Sequence, residues 1–243
     1  MPYRRLPNTD RSRLAALRTL LENGDVFMAH DKFIDWKDLN EARTEHDRLL
    51  TAVNQYEVDR KAQLRGSSRV KPLLRTASLY LAHFMQVLRM CVERGEIQKA
   101  DLQLYSLTGG ITVLPPVKLV SQILEWGPKI IEGERQRTAR GGCPLANPGI
   151  DTVAAHIAAL GEAYERHCRL QQRTRDIEAR LKNMRPPIDA LIERIWNQVE
   201  SHFAPLDSEQ RLEQCRKYGL RYYYRARERQ ATDKQQEEKE TEK

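Results

Sequence analysis

The sequence predicts an all-α protein, an antiparallel helical bundle, on three observations. Apolar residues recur at alternating spacings of three and four over long stretches, the rhythm of helices packed nearly parallel or antiparallel with a left-handed twist. Glycine and proline fall between those stretches rather than evenly along the chain. The composition, 40% hydrophobic and 31% charged over 243 residues, is what helices with a narrow apolar stripe and a broad wet face produce.

The elements follow in order. Asp10 is placed to open a first helix and Asn23-Gly24 to close it, with Leu14, Leu17, Leu20 and Leu21 on one side. An irregular link through His30 leads to a long helix over residues 36–64, whose seam is Leu39, Ala42, His46, Leu49, Val53 and Tyr56. Gly66-Ser67-Ser68 is expected to break it. A third helix then returns from Pro72 to about Arg94 on Leu74, Ala77, Leu81, Phe84, Leu88 and Cys91, and Gly95 ends it. Residues 96–116 read as loop with one turn near 101–105, punctuated by Gly109-Gly110 and Pro115-Pro116. A helix over residues 117–140 is expected to kink at Gly127-Pro128.

Residues 141–149 read as a Gly/Pro linker between an N-terminal half, 1–140, and a C-terminal half, 150–225, that packs on the first within one domain. The seam of the second half runs through Val153, His156, Leu160, Ala163, His167, Leu170, Thr174, Ile177, Leu181 and Met184. Pro186-Pro187 is expected to end that helix and start another with Ile188, Leu191, Ile195, Trp196, Val199 and Phe203 inward. Asp207 caps a short helix closed by Gly219. Residues 226–243, rich in Gln, Glu and Lys, lack apolar anchors and read as a frayed or disordered tail.

A shift of 114 residues lays the two seams on each other, Leu39 on Val153 and Leu49 on Ala163, and puts Pro72 on Pro186 and Leu81 on Ile195. Two duplicated helical hairpins forming a four-helix core, with shorter accessory helices, would give this pattern. The alternative is that any two heptad segments align at some register.

Several function classes are set aside. No run approaches the roughly 18 apolar residues of a membrane span, and the basic start has no apolar segment behind it, so no membrane association and no secretory signal is read. Cys91, Cys143, Cys168 and Cys215 lie far apart without the close pairs of a zinc site or the density of a disulfide framework. A reduced, cytoplasmic protein is the expectation. Phosphate-loop, H-E-x-x-H and G-x-S-x-G patterns are missing. A dimetal bundle needs Glu three residues before His, and no histidine has it. His46, His156 and His167 lie on seams and read as packed residues, Cys143 as an ordinary loop thiol, and His167-Cys168 as neighbours pointing apart. No cofactor, metal or catalytic residue is assigned.

Charge is the best functional lead. The net +7 is local: residues 1–20 carry +4, residues 65–75 carry +4 and residues 166–185 carry +5, which leaves the rest of the chain at −6. Arg166, Arg169, Arg173 and Arg180 fall within about 60° on a helical wheel. That stripe, the arm Arg4-Arg5, and Arg221, Tyr222, Tyr224 and Arg225 are the candidate contacts for a phosphate backbone or a protein partner. Against this, arginine stems commonly cover the flank of an apolar seam, and alternate tyrosines pack inward where a tail docks. Two readings result: a non-enzymatic interaction or structural module that binds a protein partner or itself, and a nucleic-acid-associated protein.

Residues 1–10 (MPYRRLPNTD), 81–88 (LAHFMQVL), 94–97 (RGEI), 125–134 (EWGPKIIEGE) and 218–225 (YGLRYYYR) resemble a family of helical proteins of about this length from Bacteroidota-type bacteria. The resemblance spans nearly the whole chain. This sequence departs from it at Ala82, where a serine often precedes the histidine, and at Pro128. The resemblance implies a helical fold and a cytoplasmic location and brings no activity with it.

Overall fold

A computed structural model of the chain describes residues 2–27, 33–107 and 113–223. The fold is all-α apart from one short ribbon. Its elements are β1 (Tyr3–Arg4), α1 (Asp10–Phe27), α2 (Trp36–Glu93), a 3-10 segment (Lys99–Tyr105), α3 (Val120–Ala139), α4 (Ile150–His202), α5 (Ser208–Lys217) and β2 (Tyr222–Tyr223). Among the described residues, no helix is long and apolar enough to cross a membrane. His30, Gly109-Gly110 and the tail over residues 226–243 lie outside the described residues.

The expected hairpins are instead two unbroken helices: α2 runs for 58 residues through Gly66 and Pro72, and α4 for 53 through Pro186-Pro187. Proline removes one helical hydrogen bond and crowds the carbonyl four residues back. Here Pro72, Pro186 and Pro187 are exposed, and so are Ser68, Lys182 and Asn183, whose carbonyls lose their partners. A carbonyl freed on an exposed face costs little, because solvent can take the place of the lost donor, and the opposite face stays packed. Gly66 serves a different purpose from the expected break. A Cβ there would stand 3.3 Å from His167 Nδ1 and 3.4 Å from Leu170 Cδ1, so the missing side chain lets α4 approach α2. The 114-residue shift therefore superposes two continuous helices, with Trp36, the first residue of α2, falling on Ile150, the first of α4.

The chain forms two compact units that are not consecutive halves: one takes residues 1–57 and 176–243, the other 58–175. In the first unit, the opening of α2 lies antiparallel to the end of α4. Arg194 at the end of α4 reaches Asp38 and Glu41, and Gln198 reaches Asp38. Helices α1 and α5 complete a core of Leu17, Leu20, Ala42, Leu49, Leu191, Ile195 and Trp196, among others. Thr9 rather than Asp10 caps α1: its Oγ1 accepts from Ser12 N–H at 3.1 Å. Asp10 sits in the first turn and accepts a two-pronged bond from Arg185 at 2.9 Å. Arg13, only 6% exposed, grips both oxygens of Asp189 at 2.7 Å. The helix also runs past Asn23-Gly24 to Phe27; the Asn23 amide donates to Lys217 O at the end of α5. The short α5 is as expected, with Asp207 accepting from Glu209 N–H and Gly219 at φ +85° beyond the cap.

In the second unit, the later part of α2 lies antiparallel to the early part of α4, with Tyr80 against His156 and Arg173 beside Asp59. The 3-10 segment and α3 close the core formed with Leu81, Phe84, Met85, Leu88, Ile123, Ile130, Val153 and Leu160. Helix α3 begins at Val120, three residues later than the periodicity indicates, because Gln122 Oε1 accepts from the N–H groups of Lys118 and Leu119. It continues through Gly127-Pro128. A Cβ on Gly127 would meet Ile157 Cδ1 at 2.6 Å. That glycine exists for close packing on α4.

A buried polar cluster pins this unit. Tyr105 and Glu134 have no exposed surface and Arg137 has 5%. The Tyr105 hydroxyl donates to Glu134 Oε2. Arg137 donates to Glu134 Oε1 at 2.8 Å, to the Tyr105 hydroxyl at 2.9 Å and to Cys143 O at 2.6 Å, and Leu145 N–H donates to Glu134 Oε1 at 2.9 Å. The 3-10 segment, α3 and the 141–149 connection are thereby tied at one carboxylate. Burial by itself would push the Glu134 carboxyl up; the Arg137 guanidinium, the Leu145 N–H and the Tyr105 hydroxyl outweigh it and hold the carboxyl below the usual range.

Two outcomes follow. Gly133 has room only for hydrogen, since a Cβ would fall 2.6 Å from the Tyr105 ring and 2.8 Å from Leu104 O. Gly133→Ala should cost about 1–3 kcal/mol in urea unfolding, and a variant as stable as the parent would contradict the packing. Glu134 is depressed when folded, so its contribution is full above its unfolded value and is lost as pH falls through the folded one. Glu134→Gln should lose about 3–5 kcal/mol at pH 7, and the deficit relative to the parent should shrink at pH 3. A deficit that grows with acidity would reverse the sign assigned here.

Candidate functional site

The residues singled out by charge separate into two groups once folded. Arg166 and Arg169 bond Glu162 and Glu165 one turn back, each at 3.2 Å, and Arg173 stands 3.7 Å from Asp59. The acids that neutralise this stripe lie just before it in sequence or on α2. Arg180 is exposed on α4 within the first unit. The stripe is thus not a bare track of positive charge. Exposed pairs of this kind contribute little to stability, and their main consequence is a mixed-sign surface.

The second group meets in the first unit. Strands β1 and β2 pair antiparallel, Tyr3 opposite Tyr223 and Arg4 opposite Tyr222, and Arg5 N–H donates to Arg221 O at 3.1 Å. Residues some 220 positions apart in sequence thereby share a two-stranded ribbon. Side chains alternate across a strand. Arg4 and Tyr222 turn toward α4: Arg4 donates to Asn197 Oδ1 at 2.8 Å and Glu200 Oε2 at 2.9 Å, and the Tyr222 hydroxyl donates to Glu200 Oε1 at 2.6 Å. Burial, and then the Glu200 carboxylate, hold the Tyr222 phenol well above the ordinary tyrosine range. These two residues anchor the ribbon to α4, and their charge and hydroxyl are committed to Asn197 and Glu200.

Arg5, Arg221 and Tyr223 turn to the other side. Together with Asn8, Ser12 and Trp196 they line a shallow open cleft of about 80 Å3 at the start of α1. The Arg5 guanidinium lies 5.6 Å from the Tyr223 ring centre. Gly219, at φ +85°, lets the chain turn tightly against Ala16 on its way into the ribbon. Tyr224 and Arg225 lie outside the described residues.

The other reactive side chains do not assemble. His46 Nδ1 pairs with neighbouring Asp47 at 3.1 Å, His156 packs on Tyr80, and His167 stands against Gly66. Cys143 is exposed, while Cys91 and Cys215 are buried. Among the described residues, no group of three or more His, Cys, Asp or Glu could hold a metal ion.

The chain matches no protein-family model, no curated protein and no solved structure.

The two faces of the ribbon should respond differently to substitution. Arg4→Ala leaves Glu200 without its charged donor and should cost about 1.5–3 kcal/mol. Arg5→Ala removes an exposed side chain and should stay within about 0.5 kcal/mol of the parent. Thermal unfolding of both variants checks this; equal losses would mean that the faces are wrongly assigned.

Proposed function

We propose that the chain is a non-enzymatic interaction module of the cytoplasm, binding a protein partner through the outward face of α2 in the second unit. One observation carries the reading. Val58, Leu64, Leu79 and Met90 are 61%, 60%, 66% and 48% exposed. At 100° per residue they fall in one sector of about 120°, opposite the sector that buries Val70, Ala77, Leu81, Phe84 and Leu88. Single exposed apolar residues are ordinary, whereas a set aligned along one helix face marks a binding surface. Exposed Lys61, Arg65 and Arg75 share the sector, with Glu93 at its C-terminal end. The stripe is apolar with basic residues interleaved, which suits an acidic amphipathic helix.

A second reading, association with nucleic acid, rests on a different observation: Arg5, Arg221 and Tyr223 meet at the ribbon cleft. It predicts binding to single strands with an affinity that collapses between low and moderate salt. The neutralised stripe on α4 lends this reading no support.

The double variant Leu64→Asp/Leu79→Asp tests the first reading. Both positions are on the surface, so its unfolding free energy should stay within about 0.5 kcal/mol of the parent. Nuclease-treated affinity capture and sedimentation should show loss of a protein that the parent retains, or loss of self-association. A variant that keeps the same partner and the same sedimentation would refute the assignment of this face.

A further inference from the structure

From the ribbon we infer that the cleft at Arg5 and Arg221 is a phosphate-binding site. The observation behind it is a juxtaposition that folding alone does not favour. The register places Tyr3 opposite Tyr223 and Arg4 opposite Tyr222, so the next cross-strand pair is Arg5 with Arg221, joined through their backbones at 3.1 Å. Like charges directly opposite each other in an antiparallel pair are destabilising. On the other face, the same ribbon neutralises Arg4 with Glu200 at 2.9 Å. On the cleft face, no acidic side chain among the described residues pairs with Arg5 or Arg221, and none lines the cleft. Among the described residues, counter-charge is thus present on one side of the ribbon and missing on the other.

The surroundings fit a small, hard anion. The Tyr223 ring lies 5.6 Å from the Arg5 guanidinium, which limits how far that arm can swing. Nearly buried Trp196, with Leu6 and Ala16, supplies an apolar floor, and Asn8 adds a polar rim. Two positive groups over a low-dielectric wall concentrate field at one point. The cleft of about 80 Å3 has room for several waters, enough to seat one phosphate group. Guanidinium forks match phosphate oxygens two at a time, and a phosphate offers three such oxygens to two forks where a carboxylate offers two.

The inference goes beyond the nucleic-acid reading, since a free phosphate satisfies the site as well as one carried on a strand. The test uses the full chain, the double variant Arg5→Gln/Arg221→Gln and, as control, Arg11→Gln, whose side chain is 85% exposed and pairs with Glu57. Calorimetric titration and thermal shift are run with inorganic phosphate, with a short 5′-phosphorylated single strand and with the same strand lacking that phosphate. The expected result is that inorganic phosphate, or the 5′-phosphorylated strand in preference to its unphosphorylated form, binds the parent and the control alike. The double variant should bind it about tenfold or more weakly. Without ligand the double variant should melt no lower than the parent, because a repulsion has been removed; a lower melting point would overturn the account of the pair. Equal binding of both strands with no response to inorganic phosphate would overturn the phosphate site and leave the nucleic-acid reading standing. No binding of any probe would overturn both.

Discussion

Everything in this structure depends on α2 and α4 remaining helical through residues that ordinarily stop a helix. Three prolines and two glycines lie inside these two elements, and the prolines and Gly66 are each tolerated for a local reason. The residues whose carbonyls the prolines free, Ser68, Lys182 and Asn183, are all exposed. Gly66 lies where α4 packs against α2, with His167 and Leu170 opposite it. Because neither helix breaks, each can serve both compact units. The first unit combines the opening of α2 with the end of α4, and the second combines the remainder of α2 with the opening of α4. The shorter elements then have one task each: α1 and α5 close the first core, and α3 with the 3-10 segment closes the second.

Charge reinforces this arrangement where apolar packing runs out. Arg13 and Arg185 tie the first turn of α1 to the Pro186-Pro187 region of α4 through Asp189 and Asp10. Arg137 and Tyr105 tie α3 and the 3-10 segment to the following connection through Glu134. A buried pair is weak testimony for net stability, because desolvation offsets much of the attraction. A slipped α1 or a shifted 3-10 segment would leave a buried charge without its partner, which costs far more than the pair itself gains.

The fold class, the punctuation at Gly95, Asp207 and Gly219, and most core positions were legible from spacing and capping chemistry. Leu39, Leu49, Leu81, Leu160 and Ile195 are buried where the three-four rhythm puts them. The hairpins were not legible as anything else, because Gly66 and Pro186-Pro187 carry the same local signature whether a helix ends or merely exposes its outer face. Only knowledge of which side faces water separates the cases. The Glu134–Arg137 pair was visible as an i, i+3 spacing, but its burial depends on Tyr105 and on Leu145 arriving from elsewhere. The Arg5–Arg221 pair joins segments 216 residues apart in sequence, and no local window could have shown it. Of the arginine stripe, sequence gave the positions; the partners Glu162, Glu165 and Asp59, just outside the window or on another helix, decided its meaning.

A continuous α2 also gives the proposed interaction its form, since Val58, Leu64, Leu79 and Met90 share a face only if the helix is unbroken between them. The most direct test is a distance measured along that segment. Spin labels at exposed Lys61 and Gln86, with Cys143 and Cys168 replaced by serine, report it by pulsed electron resonance. A continuous helix separates the two backbone sites by about 37 Å at 1.5 Å per residue. A chain that turned back at Gly66 would bring them within about 20 Å, given helices packed 8–10 Å apart. A narrow distribution near the longer distance is the predicted result, and a population at the shorter one would contradict the account.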